Sequence, residues 1–186
     1  WCSFMEAFYA NFILDLFLIL SPILYLKFRE KKAVTTTREF GLETRPGNWL
    51  SEIFLMGKIF FSLLAISILL SILLQLLGVN DLANVENVVR GLLSTNLAIL
   101  LYFMIVRVFA EEFFFRAFLV PRVGVAASSI VFGLSHLAYG SVAEVIGAIV
   151  LGGVLGHFYQ KERRLIANFV AHVLYNAAAF ALIVAL

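Results

Sequence analysis

Apolar residues run along this chain in six blocks, at about Ala7–Lys27, Ile53–Gly78, Leu92–Val120, Val123–Ala138, Val142–Tyr159 and Leu165–Leu186. The blocks are continuously apolar rather than alternating, and most approach the roughly 17–25 residues that carry a helix across hydrocarbon. The pattern predicts an all-α polytopic membrane protein: one domain over residues 1–186, folded as a bundle of about six transmembrane helices. The third block is longer than a bilayer needs and is expected to tilt or to run past the hydrocarbon edge. The fourth spans only about 24 Å at helical rise. The first is too long for a signal-peptide core, and its basic cluster follows the apolar run instead of preceding it, so it reads as a membrane helix. Between the first two blocks, Phe40-Gly41-Leu42 and Arg45-Pro46-Gly47 are turn signals, and Asn48-Trp49 is an interfacial anchor. Ala148, Gly152 and Gly156 recur every four residues in the fifth block, a stripe of small residues that predicts close helix packing.

Composition strengthens the membrane reading. The chain is 62% hydrophobic and 14% charged, whereas soluble domains carry about 25% charged residues. Its one cysteine, Cys2, excludes an internal disulfide framework and a multi-cysteine zinc site. A net charge of +2 gives no reason to expect a nucleic-acid partner. The basic residues are clustered instead. Lys27, Arg29, Lys31, Lys32, Arg38 and Arg45 crowd the first connection, Arg116 and Arg122 flank the end of the third block, and Lys161, Arg163 and Arg164 follow the fifth. This alternation places the basic connections in the cytoplasm and both termini outside.

Ionisable and strongly polar residues inside the last four blocks are few, and they fall into ordered groups. Glu111, Glu112 and Arg116 lie in the third block, His136 closes Phe132-Gly-Leu-Ser-His136 in the fourth, and His172-Val-Leu-Tyr-Asn176 lies in the sixth. Spacing by four places each group on one helix face. Counted from the basic ends at about 1.5 Å per residue, Glu111, Glu112 and His172 lie about 12–15 Å deep, Asn176 about 18 Å and His136 about 20 Å. Three helices therefore offer a carboxylate, two imidazoles and an amide to one polar intramembrane cavity. The depths suggest an opening on the basic side, and lateral entry between helices is an equal alternative.

An intramembrane carboxylate is costly, which makes it a functional residue by default. In a partly apolar pocket it suits a general base acting on water. One imidazole can hold that water, and a second imidazole with a carboxamide can donate hydrogen bonds to a developing oxyanion. Those are the parts for amide hydrolysis without a serine or cysteine nucleophile. Ser135 is poorly placed to serve as one, because adjacent helical residues point in different directions.

The ordered triplet Glu-Glu-x-x-x-Arg, Phe-x-x-x-His and His-x-x-x-Asn resembles the CAAX protease and bacteriocin-processing (CPBP, or Abi) family, glutamic intramembrane proteases related to the type II CAAX prenyl endopeptidase. The resemblance covers about Leu92 to Leu186 and makes residues 92–186 the expected protease core. It implies that Glu111 activates water together with His136, that His172 and Asn176 form the oxyanion pair, that Glu112 and Arg116 form a supporting ion pair, and that Phe132 packs beside His136. It implies a peptide or protein substrate, lipidated or not, no cofactor and no metal, and a setting in a prokaryotic plasma membrane. Two other functions use the same residues: a zinc-dependent membrane metalloprotease, disfavoured because no His-Glu-x-x-His helix is present, and a non-enzymatic membrane scaffold or immunity protein. Arg107, four residues before Glu111, is expected to point away from it. Asp15, Lys58, Gln75 and Glu144 belong to no motif and are expected to be structural.

Overall fold

A computed structural model describes residues 2–29, 40–42 and 49–185 of the chain, and among these there is no strand. α1 (Cys2–Phe28) and α2 (Trp49–Leu76) are long helices. A short helix, α3 (Ala83–Leu93), precedes α4, which covers residues 97–119. Within α4, α-helical turns at Leu97–Leu101 and Val108–Glu111 alternate with π-helical stretches at Tyr102–Arg107 and Glu112–Leu119. α5 (Val120–Leu134), a 3₁₀ turn at Leu137–Tyr139, α6 (Val142–Glu162) and α7 (Leu165–Ala185) complete the chain.

Four of these helices, α1 (over Phe8–Phe28), α2, α6 and α7, are long and apolar enough to cross a membrane. Along α2, Phe54, Phe61, Ile68 and Leu76 are each more than half exposed. An apolar face of that length is at home in hydrocarbon and not in water, so the protein is an integral membrane protein.

The third and fourth apolar blocks differ from expectation. Leu92 belongs to α3, and the deep helix begins only after Asn96, whose side chain caps it by accepting the Ile99 N–H at 3.0 Å. The fourth block is helical from Val120, but Gly124 (φ 83°, ψ 168°) interrupts it. That left-handed φ is open to glycine and strained for other residues. The remainder of α5 beyond Gly124, ending at Leu134, is too short to cross a bilayer by itself.

Helix α3 was not expected from the apolar blocks. It turns Val85, Val88, Val89 and Leu92 toward a cavity in the bundle, while Arg90 pairs with Glu86 at 2.7 Å. Arg90 Nη2 also donates to the Ile183 carbonyl at 3.0 Å, satisfying a carbonyl that the end of α7 leaves unpaired. Just before α3, Asp81 caps α6 from across the fold: it accepts the Ser141 hydroxyl at 2.9 Å and the Val142 and Ala143 amides at 2.5 and 3.1 Å. Those bonds, the Val142 amide foremost, hold the Asp81 carboxyl below the usual carboxylate range.

The α5–α6 hairpin is packed through glycine. A β-carbon on Gly133 would run into Ile149, one on Gly152 would sit 2.9 Å from Phe132 Cδ1, and one on Gly156 3.0 Å from Val125 Cγ1. The stripe of Ala148, Gly152 and Gly156 is thus a packing device. At the basic end, Phe40 is buried with its ring 4.5 Å from that of Phe113. Gly41 (φ 67°) accepts the Leu165 N–H at 2.9 Å, so close to the Arg163 carbonyl that no side chain fits. Phe40-Gly41-Leu42 is therefore a wedge under the bundle. Beside it, a buried Arg164–Glu52 ion pair joins the residue just before α7 to α2. Lys31, Lys32, Arg38, the turn Arg45-Pro46-Gly47 and Asn48 lie outside the described residues.

Candidate active site

The two glutamates sit where α4 passes from an α-turn into its second π-helical stretch. Such register changes are uncommon and gather at functional sites. Here the change separates two neighbouring carboxylates into two environments.

Glu112 is sealed, with no exposed surface. Its Oε1 lies 3.1 Å from Arg116 Nη1 and 2.9 Å from His172 Nδ1, and its Oε2 is 3.5 Å from Asn168 Nδ2. Asn168 in turn donates to the Leu155 carbonyl at 2.7 Å. The Arg116 guanidinium lies over the Phe132 ring, 4.1 Å from its centroid, a cation–π contact strengthened by burial. Gly152 leaves the space that Phe132 and Arg116 occupy. The Glu112–Arg116 pair expected from spacing is present. His172, which the spacing did not connect to Glu112, is anchored on the same carboxylate.

Glu111 faces the other way, into a cavity of about 790 Å³ whose wall also includes Phe132, His136, His172 and Asn176. The four residues expected to do the chemistry thus line one space, while Glu112 and Arg116 stand behind its wall. His136 comes just after the end of α5, its Nδ1 2.9 Å from the Phe132 carbonyl. A carbonyl only accepts, so Nδ1 carries the proton and Nε2 is left as the acceptor. The ring stacks on Tyr139 (5.7 Å, 17°) and meets Phe132 edge-on at 4.7 Å. His136 and Glu111 share no direct hydrogen bond. The Asn176 carboxamide makes no hydrogen bond among the described residues, so its donors are available.

Two expectations fail here. Arg107 does not point away: its Nε is 3.2 Å from Glu111 Oε1, while Nη1 reaches Asn11 Oδ1 at 2.8 Å and Asp15 Oδ1 at 3.2 Å. Spacing by four made that pair available, and Asp15 and Asn11 on α1 hold the guanidinium in place. The cavity also does not run toward the basic end. Its wall continues through Val79, Asn80 and Leu82 and along α3, at the opposite end of the bundle. Helical rise gave the depths of the polar residues; which end is closed depends on the Phe40 wedge and the α3 cover, which depth alone does not contain.

Sequence reasoning passed over three polar residues that matter here. Asn168 precedes His172 by four, extending the same ladder that ends at Asn176, and that spacing was the available signal. Asp15 stood out as an acid in an apolar block, with nothing to indicate its partner. Glu144 was set aside as structural, yet it also lines the cavity. Among the described residues no three His, Cys, Asp or Glu side chains converge as a metal-ligand set.

A helical membrane protein with a buried charge cluster behind one wall of an intramembrane cavity is the class that fold and site define. Residues 93–178 match the family model described as type II CAAX prenyl endopeptidase Rce1-like, which bears out the resemblance read from the three motifs and supports a CAAX-type protease, a class that acts on peptide or protein substrates. No curated protein and no solved structure matches the chain.

Proposed function

We propose that the protein is an intramembrane endopeptidase in which Glu111 activates water and no metal is required. The observation that carries this reading is the meeting of Glu111, His136, His172 and Asn176 on one cavity wall, drawn from α4, α7 and the residues after α5. Arg107 engages one oxygen of Glu111, and the other takes a proton from water as that water attacks the scissile carbonyl carbon. The His136 Nε2 lone pair accepts the water's second hydrogen and orients it.

The carbonyl oxygen becomes an oxyanion held by His172 and Asn176. His172 already directs Nδ1 at Glu112, so to donate from Nε2 as well the ring must carry both protons. The buried Glu112 carboxylate is the counter-charge for that imidazolium. When the C–N bond breaks, the oxyanion re-forms the carbonyl and Glu111 returns its proton to the leaving amine, giving a carboxylic acid and an amine and restoring the base. The basic connections face the cytoplasm, and the bilayer surrounds the apolar faces of α1 and α2.

The substrate is a membrane-borne peptide or protein, lipidated or not. A comparison of membrane peptides from cells carrying the wild type and E111Q tests the function. Uncut species accumulating only with E111Q support it; identical profiles at equal expression contradict it. Turnover lost to a chelator and restored by zinc would contradict the metal-free reaction.

A further inference from the structure

Arg107 belongs to none of the three motifs, and two of its partners come from α1, outside residues 93–178. It bridges Glu111 Oε1 at 3.2 Å, Asp15 Oδ1 at 3.2 Å and Asn11 Oδ1 at 2.8 Å. Asp15 is almost completely buried, and its second oxygen accepts the Tyr102 hydroxyl at 2.5 Å. Tyr102 and Arg107 stand five apart, at the two ends of the π-helical stretch Tyr102–Arg107. A π turn bonds residues five apart, which brings both side chains round to α1.

We propose that Asp15 and Arg107 are positioning residues for Glu111: Asp15 fixes the guanidinium, and the guanidinium fixes one carboxylate oxygen so that the other faces the water. The proposal rests on Glu111 being the base. A lone guanidinium against Glu111 would neutralise it. With Asp15 added, two carboxylates share one cation, and the triad keeps a negative charge with which to accept a proton. Arginine is the side chain for this task, since its planar fork reaches Glu111 through Nε and α1 through Nη1; the point charge of lysine cannot hold both. The other charged and titratable groups around Glu111 are accounted for differently: Arg116 is engaged by Glu112 behind the wall, His172 is anchored on Glu112, and His136, Tyr139 and Glu144 line the same cavity without a hydrogen bond to Glu111.

The test uses the full chain in lipid nanodiscs, with an internally quenched library of hydrophobic peptides, each with and without a C-terminal farnesylated cysteine. D15N and R107Q are each expected to lower kcat about 10- to 100-fold, as misplacement of a reacting group does, with KM unchanged. R107K does not restore the rate. In the double variant D15N/R107Q the losses do not multiply, because Asp15 acts through Arg107, so kcat stays within about twofold of R107Q. Losses that multiply, a change confined to KM, or a D15N protein at wild-type kcat would each overturn the proposal. Either single variant strands a buried charge. If neither accumulates, the neutral pair D15N/R107Q decides, and wild-type kcat in that folded protein overturns the role. E111Q separates the two layers of argument. An inactive E111Q beside a fully active D15N refutes only the positioning role. An active E111Q, or a wild type that cleaves no library member, refutes the function itself.

Discussion

Glu111 and Glu112 are adjacent in sequence and carry the same group, but they occupy opposite sides of one wall. Around Glu112 everything is closed: Arg116 and His172 share one oxygen, Asn168 approaches the other, and no surface is exposed. Around Glu111 one arginine, itself shared with Asp15 and Asn11, meets one oxygen, and the side chain lines the cavity. A buried carboxylate persists where its desolvation is offset by partners. Glu112 meets partners at both oxygens and Glu111 at one; the proposed roles, structural post and base, follow that difference. Compensation, more than burial, distinguishes the two roles.

The sharpest break in this comparison is expected on the closed side. Glu112→Gln leaves Arg116 buried without its counter-charge and takes the anchor from His172. Such a change costs about 3–5 kcal/mol, and thermal unfolding in detergent will show it as a large drop in midpoint. On the open side, Asn176→Ala removes a donor that makes no hydrogen bond among the described residues. Its stability should hold while kcat falls about 10²–10³-fold, the usual loss for an oxyanion donor; steady-state kinetics beside an unfolding curve measures both. Gly152→Leu tests the wall between the two sides. The new side chain would drive into Phe132 and Arg116, an overpacking of about 1–3 kcal/mol, seen as a lowered unfolding midpoint. The smallest effect lies at the far end, on Asp81. Its carboxyl is held below the ordinary range in the folded protein, so its stabilising contribution is complete above that range and is lost as pH falls through the folded value. Asp81→Asn should reproduce the acid form at neutral pH, with faster hydrogen exchange at Val142 and Ala143 and little change in turnover.

Much of this was legible in the sequence. The apolar blocks gave helices, and spacing by four gave Glu112–Arg116, Phe132 beside His136, and His172 with Asn176 on one face. Periodicity reports which residues share a face; it does not report what stands opposite. Arg107 illustrates the limit, since the same spacing allows it to pair with Glu111 or to leave it, and the choice is made by Asp15 on a helix about ninety residues away. The π-helical stretches were equally out of reach, because they answer to packing against α1 and α5 and have no composition of their own. Helix α3 carried a readable pattern, with Val85, Val88, Val89 and Leu92 at helical spacing, hidden by being too short for a membrane span.

The central claim is that the two carboxylates divide catalysis from structure. The most direct measurement compares turnover and thermal unfolding of E111Q and E112Q in the same lipid. E111Q should unfold near the wild-type midpoint, since Arg107 keeps Asp15 as its counter-charge, and should lose turnover by about 10²–10⁴-fold, the range for a general base. E112Q should show its loss first in the midpoint. An E111Q protein that still turns over near the wild-type rate, or an E112Q protein as stable as the wild type, would contradict that division.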